Sequence, residues 1–157
     1  MRMRPDSCRG CPLDAIAEGF MVPTGKGYYG VLLVGEALGE KEAEAGKPFV
    51  GAAGRQLQEA IEWAGLDKEG FWIANAIYCR PPNIELEGME YEKEAIEHCY
   101  RTNLGPLIER LKPKVIVPLG NIPLYALMGH KQILKTRGYV YRRGGAFVLP
   151  SVHPSFI

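Results

Sequence analysis

The feature that most constrains this chain is an alternation. Short apolar runs, each closed by glycine or polar residues, are separated by segments of helical period. "GVLLVGE" (residues 30–36), "GFWIANAIY" (70–78), "KVIVPLG" (114–120) and "AFVLPSVHP" (146–154) are the runs, and their length and β-branched content read as buried strands. Between the first two, "VGAAGRQLQEAIEWAGL" places Leu57, Ile61 and Ala64 at helical spacing, with Gly65 to end it. Residues 91–111 read as one long helix with apolar positions at Ile96, Tyr100, Leu104, Leu107 and Leu111. Residues 122–128 form a short helix, with Asn121 as N-cap and Pro123 in its first turn. Residues 35–48 and "CRPPNIELEGME" (79–90) read as loops, because the proline pair in the latter forbids both helix and ladder. "RGYVYRR" (137–143) is a short strand or an extended loop, and residues 1–27 are a loop-rich lead-in.

This order implies an α/β fold: a three-layer αβα arrangement around a central four-stranded, mainly parallel sheet. A chain of 157 residues, 46% hydrophobic, suits one domain over residues 1–157. There is no repeat and no low-complexity tract. No run of about 18 apolar residues exists, so no membrane span is expected. The N-terminus "MRMRPDSCRGCP" lacks the apolar stretch of a signal peptide, and the expected location is cytoplasmic. A net charge of +1 argues neither for nor against nucleic acid; only local patches do.

Four cysteines, Cys8, Cys11, Cys79 and Cys99, include one C-x2-C pair. Without an export signal, disulfides give way to metal or redox chemistry. Four converging thiolates would bind zinc or an iron–sulfur cluster; four unrelated buried thiols are the plainer alternative.

Sheets of this kind hold ligands at the carboxyl ends of their strands. "GEALGE", "NAIYCRPPN", "LGN" and "SVHPS" begin there, gathering Glu36, Asn75, Gly120 and His153 on one rim. "GEALGE" is neither a dinucleotide fingerprint nor a P-loop. Phe49 is either core or a flat face for stacking a base. Asn75, inside an apolar strand, must find partners; its amide carries a donor and an acceptor, which suits a base edge as well as a structural bond. His153 sits between a strand and a proline, a better place for function than most. His98 and His130 read as local structure. The segment 131–143 holds five basic residues and no acid; it is either a solvated face or a contact for a DNA backbone.

Taken together, these residues resemble the family 4 uracil-DNA glycosylases, the iron–sulfur branch of that superfamily. The family's first motif, roughly GEAPGxxE…G-x-PFVGxAG, stands here as "GEALGEKEAEAGKPFVGAAG" (35–54). An Asn four residues before Cys-Arg-Pro-Pro stands as "NAIYCRPPN", the LG after an apolar strand as "PLG", and the last motif as "HPSFI". The cysteines fall in the family's order, and the match covers nearly the whole chain.

The resemblance implies a [4Fe–4S] cluster on Cys8, Cys11, Cys79 and Cys99. It implies excision of uracil from single- or double-stranded DNA in base-excision repair, with the nucleotide flipped into a pocket. Phe49 would stack on the base, Asn75 would read its edge, and backbone N–H groups at Glu36 and Ala37 would contact the ring. His153 would donate to O2 as the bond breaks. Ala37 stands where some superfamily members carry an Asp, so Glu36 and Glu42 are the nearest acidic candidates to activate water. Gly120, Arg137, Ser155 and Phe156 would contact DNA, with Phe156 and Ile157 as the wedge filling the gap left by the flipped base. The expected protein is a monomer, with a sliding clamp as a partner.

Three departures stand out. Leu38 replaces a proline, an expectation of a looser loop or a reshaped pocket floor. The chain stops at Ile157 where the family continues into a closing helix, which is expected to be truncated or dispensable. "PPNIELEGMEYEKEA" is acidic and lacks the basic, His-bearing insertion of relatives that trap DNA covalently, so turnover is expected. A glycosylase for another modified pyrimidine and a non-catalytic DNA-binding module are the alternatives. The base-reading residues argue against an electron carrier.

Overall fold

The computed structural model describes residues 4–156. Five strands, β1 (Val31–Gly35), β2 (Phe71–Asn75), β3 (Val115–Pro118), β4 (Tyr141–Arg143) and β5 (Ala146–Val148), form one sheet in the order β2-β1-β3-β5-β4. β1, β2, β3 and β5 run parallel, as the alternating pattern requires. The fifth strand corrects the expected count of four. Residues 141–143 pair antiparallel with β5 across a two-residue Gly144–Gly145 turn, Gly144 having φ +57°, the connection that Gly-Gly favours.

Leu32, Leu33 and Val34 are buried in succession because β1 is central and covered on both faces. Alternate side chains serve different layers. Leu32, Val34, Ala74 and Ile116 pack with Leu38, Ile77, Ile96, Leu104, Leu107 and Ile122. Leu33 and Ile73 pack on the other face with Phe49, Leu57 and Ile61. Helices therefore cover both faces: α2 (Ala52–Trp63) on one, and on the other α3 (Glu92–Cys99), α4 (Gly105–Leu111) and α5 (Asn121–Met128).

Local departures from the sequence reading have physical causes. Residues 35–48 are not all loop: Glu40–Ala45 form α1, ended by Gly46 in the left-handed region at φ +69°. Ala64 is exposed and caps α2 rather than entering the core. The long helix is continuous but not uniform. A π-helical segment, Tyr100–Leu104, links α3 to α4, with Gly105 N–H reaching back to the Tyr100 carbonyl. Pro106 follows, and its ring and missing N–H disfavour plain α winding there. Gly120, not Asn121, caps α5; the Asn121 carboxamide oxygen accepts from Ile133 N–H at 3.2 Å instead, tying α5 to α6 (Ile133–Thr136). The lead-in is pinned to the sheet: Thr24 pairs with Ile73, and Met21 N–H donates to Tyr78 O at 2.8 Å. Among the described residues no helix is long and apolar enough to cross a membrane.

Candidate active site

The register brings the rim together. Gly35 pairs with Asn75 at the ends of β1 and β2, and Leu119 bridges to Ser151 beyond β3 and β5. Glu36 follows Gly35 and Gly120 follows Leu119, while His153 lies two residues past Ser151, where a Cβ on Gly120 would come within 3.4 Å of its own Cβ. Glu36 and His153, but not Gly120, border a cavity of about 360 Å³ whose walls also include Ala37, Glu42, Phe49 and Asn75. Gly35 has no room for a side chain: a Cβ there would lie 2.6 Å from both the Asn75 amide oxygen and the Phe49 ring. Glycine at that position is what lets the amide and the aromatic face share one wall.

Asn75 is 2% exposed. Among the described residues, its side-chain amide makes no hydrogen bond to protein, although buried polar groups are nearly always paired. The N–H groups of Glu36 and Ala37 likewise donate to no acceptor among those residues, while Glu36 O accepts from Ile77 N–H at 2.9 Å. The cavity is thus bordered by unspent donors and one acceptor.

Phe49 sits at φ +54°, a left-handed conformation costing an L-residue roughly 1–2 kcal/mol. Such strain persists only where surrounding contacts hold it. Its ring is buried and stacks on His153, with centroids 5.8 Å apart and planes 28° apart.

The proton on His153 is located by its neighbours. Ser155 N–H donates to Nδ1 at 3.2 Å, and the Ser155 hydroxyl lies 2.7 Å from the same nitrogen. A nitrogen that accepts from a backbone N–H carries no proton, so Nε2 holds it. Burial lowers the imidazole pKa below its ordinary 6.5. The ring is therefore a neutral Nε2–H donor at neutral pH.

Two acids line the cavity with different fates. Burial raises the Glu36 pKa, and the charges of Glu87 and Glu92 raise it further, against a lowering by Lys131. Glu42 uses both oxygens on backbone: Oε1 accepts from Gly39 N–H and Oε2 from Val50 N–H, each at 3.1 Å. Leu38 corrects an expectation. It is fully buried in the core, its N–H donates to Cys79 O at 3.3 Å, and it does not line the cavity.

The expected DNA contacts divide. Ser155 lines the cavity, and Phe156 is 64% exposed in a 3₁₀ turn, Pro154–Phe156, that packs on α2; Ile157 lies outside the described residues. The basic segment is not one patch. Lys131 pairs with Glu92, Arg143 bonds Leu127 O at 2.8 Å and the Tyr100 hydroxyl, and Arg142 lies 4.8 Å over the Phe147 ring. Lys135 and Arg137 are exposed, and Gly138 N–H bonds Pro150 O at 3.0 Å, three residues before His153.

All four cysteines line a second, small cavity that shares no lining residue with the first. Burial pushes the Cys79 and Cys99 thiols up to about 12, with neighbouring thiols adding to the effect. Asn103 donates to Cys99 Sγ at 3.4 Å. His98 is not local in its role: its Nε2–H donates to Ser7 O at 2.8 Å, tying the C-x2-C segment to α3. His130 is local, its Nδ1 accepting from Gln132 N–H at 3.2 Å. Among the described residues no group of three or more His, Cys, Asp or Glu side chains is placed ready to hold a metal ion.

A three-layer fold with a cavity at the carboxyl edge of its sheet, walled in part by an aromatic ring, a buried amide and a neutral histidine, agrees with the sequence comparisons. Residues 24–157 match the model of the uracil DNA glycosylase superfamily, and the chain belongs to that superfamily. It is 36% identical over 157 residues to the type-4 uracil-DNA glycosylase of Thermotoga maritima, covering 98% of this chain and 79% of that one. Its identity to the type-4 uracil-DNA glycosylase of Pyrobaculum aerophilum is 40% over 125 residues, 78% of this chain and 60% of the relative. To that of Sulfurisphaera tokodaii it is 35% over 159 residues, 95% and 70% of the two chains.

Proposed function

We propose that this protein is a monofunctional uracil-DNA glycosylase of base-excision repair, acting as a monomer on single- or double-stranded DNA. The observation that carries the reading is Asn75: a buried amide without a hydrogen-bond partner among the described residues, facing a cavity whose walls include an aromatic ring and a neutral imidazole donor. That combination suits a flat, uncharged ring with alternating donors and acceptors.

A flipped nucleotide delivers uracil to the cavity. The Phe49 ring lies against the base and Asn75 bonds its polar edge. The N–H groups of Glu36 and Ala37 face the ring. As the C1′–N1 bond breaks, its electron pair moves onto the base, and His153 Nε2–H donates to O2 where that charge collects. The sugar becomes oxocarbenium-like. Water adds at C1′ and loses its proton to solvent, leaving an abasic site, and the uracil anion takes a proton. Ala37 supplies no base, so leaving-group stabilisation and positioning supply most of the acceleration; Glu36 is the carboxyl best placed to order the water. Gly120, Arg137, Ser155 and Phe156 face the DNA.

The donor set of the second cavity fits a [4Fe–4S] cluster. Four thiols from three separate segments border one space, and buried thiols held protonated exchange their protons for metal. Cys8, Cys11, Cys79 and Cys99 would hold it, and hydrolysis needs no redox step. Its bonds would brace the lead-in and the "CRPPN" loop as one domain with the sheet.

Incubation with a uracil-containing oligonucleotide followed by alkaline cleavage tests the reading. Strand breaks at uracil are expected; intact strands, or equal cleavage at thymine, hypoxanthine or hydroxymethyluracil, would overturn it.

A further inference from the structure

We infer that Glu42 is a positioning residue that sets the stacking ring of Phe49, rather than the group that activates water. The inference rests on reading the cavity as a uracil pocket. Glu42 is half-buried in the first turn of α1, whereas its neighbours Glu40 and Glu44 are exposed. Its Oε1 bond to Gly39 N–H closes the start of the helix in the manner of half a capping box. Its Oε2 bond crosses eight residues to Val50 N–H, which belongs to the peptide that joins Phe49 to Val50.

That same peptide is held from its other side. A Cβ on Gly54 would lie 2.0 Å from the Phe49 carbonyl oxygen, so the carbonyl rests directly on the first turn of α2. With its N–H clamped and its C=O seated, the peptide plane cannot rotate. The clamp fixes ψ of Phe49 and the position of its carbonyl carbon, and so supports the residue at φ +54°, a conformation an aromatic residue does not hold unaided. The ring direction follows from the backbone, and it places the ring beside Asn75 and against His153. Each Glu42 oxygen keeps a second lone pair, but both already accept from backbone N–H groups, and taking a proton from water would weaken the bonds that hold the loop.

The test is single-turnover uracil release by Glu42→Ala, Glu42→Gln, Phe49→Ala and the Glu42→Ala/Phe49→Ala double variant, each checked for folding by circular dichroism and thermal melting. Glu42→Ala is expected to slow release on the order of 100-fold. Glu42→Gln, whose carbonyl still accepts one N–H, is expected to recover to within about tenfold of the unaltered rate. Its pH–rate profile should match the unaltered one. The double variant should be no slower than Phe49→Ala alone, since the clamp has nothing left to place. A Glu42→Ala variant at full rate would overturn the inference, as would a double variant whose losses multiply. So would a Glu42→Gln variant as slow as Glu42→Ala with its pH profile changed. An unaltered protein that releases no uracil would instead strike the pocket reading itself.

Discussion

The imidazole of His153 lies over the ring of Phe49 at 5.8 Å, tilted by 28°. One aromatic wall therefore orients the histidine while Ser155 fixes which of its nitrogens carries the proton. In the proposed reaction the ring and its Nε2–H donor would be held before any base arrives, so that little reorganisation is needed as charge develops.

Replacing that donor should slow chemistry and spare binding. His153→Ala is expected to lose about 10²–10³ in single-turnover excision, with DNA affinity nearly unchanged in an anisotropy titration. Asn75→Ala should lose a comparable factor. Near-full activity in both would contradict the site assignment.

The acid limb of activity should lie below the ordinary histidine value. Burial lowers the His153 pKa from 6.5, so the folded protein stays neutral at this position while the unfolded chain takes up a proton. Between the two pKa values the unfolded state binds more protons, and stability rises with pH. This contribution is fully present above pH 6.5 and is lost as pH falls through the lowered folded value. Excision should follow, because protonating Nδ1 breaks its bond from Ser155 N–H. Denaturant titrations across pH on His153→Asn should lack this component.

Leu38 should matter for stability rather than for base choice. It is 0% exposed and packed in the core, so Leu38→Ala should cost about 2–5 kcal/mol. Leu38→Pro should also lose the 3.3 Å bond to Cys79 O. The ratio of uracil to hypoxanthine release should stay the same in a folded Leu38→Ala variant; a shift in that ratio would return this residue to the pocket.

The purified protein should be brown and contain iron and acid-labile sulfide. Cys79→Ser and Cys99→Ser should lose both and melt at lower temperature. Stoichiometric zinc without iron would rule out the cluster.

Phe156 should act only where there is a stack to repair. It is 64% exposed beside the cavity rim. Phe156→Ala should slow excision from duplex DNA by about tenfold, the worth of one stacking contact, and leave single-stranded substrate nearly unaffected.

The parallel strands and the rim were readable because period and punctuation encode them: each apolar run ends where a polar residue begins, and that boundary is the site. Residues 137–143 read equally as strand or loop, and the Gly-Gly turn after them was not readable as a hairpin, because β4 is only three residues long, too short for alternation to show. Leu38 was misplaced because a loop residue carries no period to say which way it faces. The role of His98 and the division of the basic segment depend on partners 91 residues away for His98 and 39 for Lys131, beyond any local pattern. Glu42 stood beside Glu36 as a candidate acid; only folding shows both of its oxygens bonded to backbone N–H groups.

The π-helical segment that follows Cys99 leaves the helix carrying one residue more than its turns require. A helix advances about 100° per residue, and the wide turn absorbs that angle, so Cys99 and Leu107 share the buried face although the chain between them is one residue longer than plain α winding needs. Deleting one position among residues 100–104 should return the segment to plain α winding and leave both side chains on that face. In this stretch a single-residue gap should therefore be tolerated, as should substitutions at exposed positions such as Arg101, whereas a further single-residue insertion should swing either Leu107 from the sheet or Cys99 from the thiol cavity.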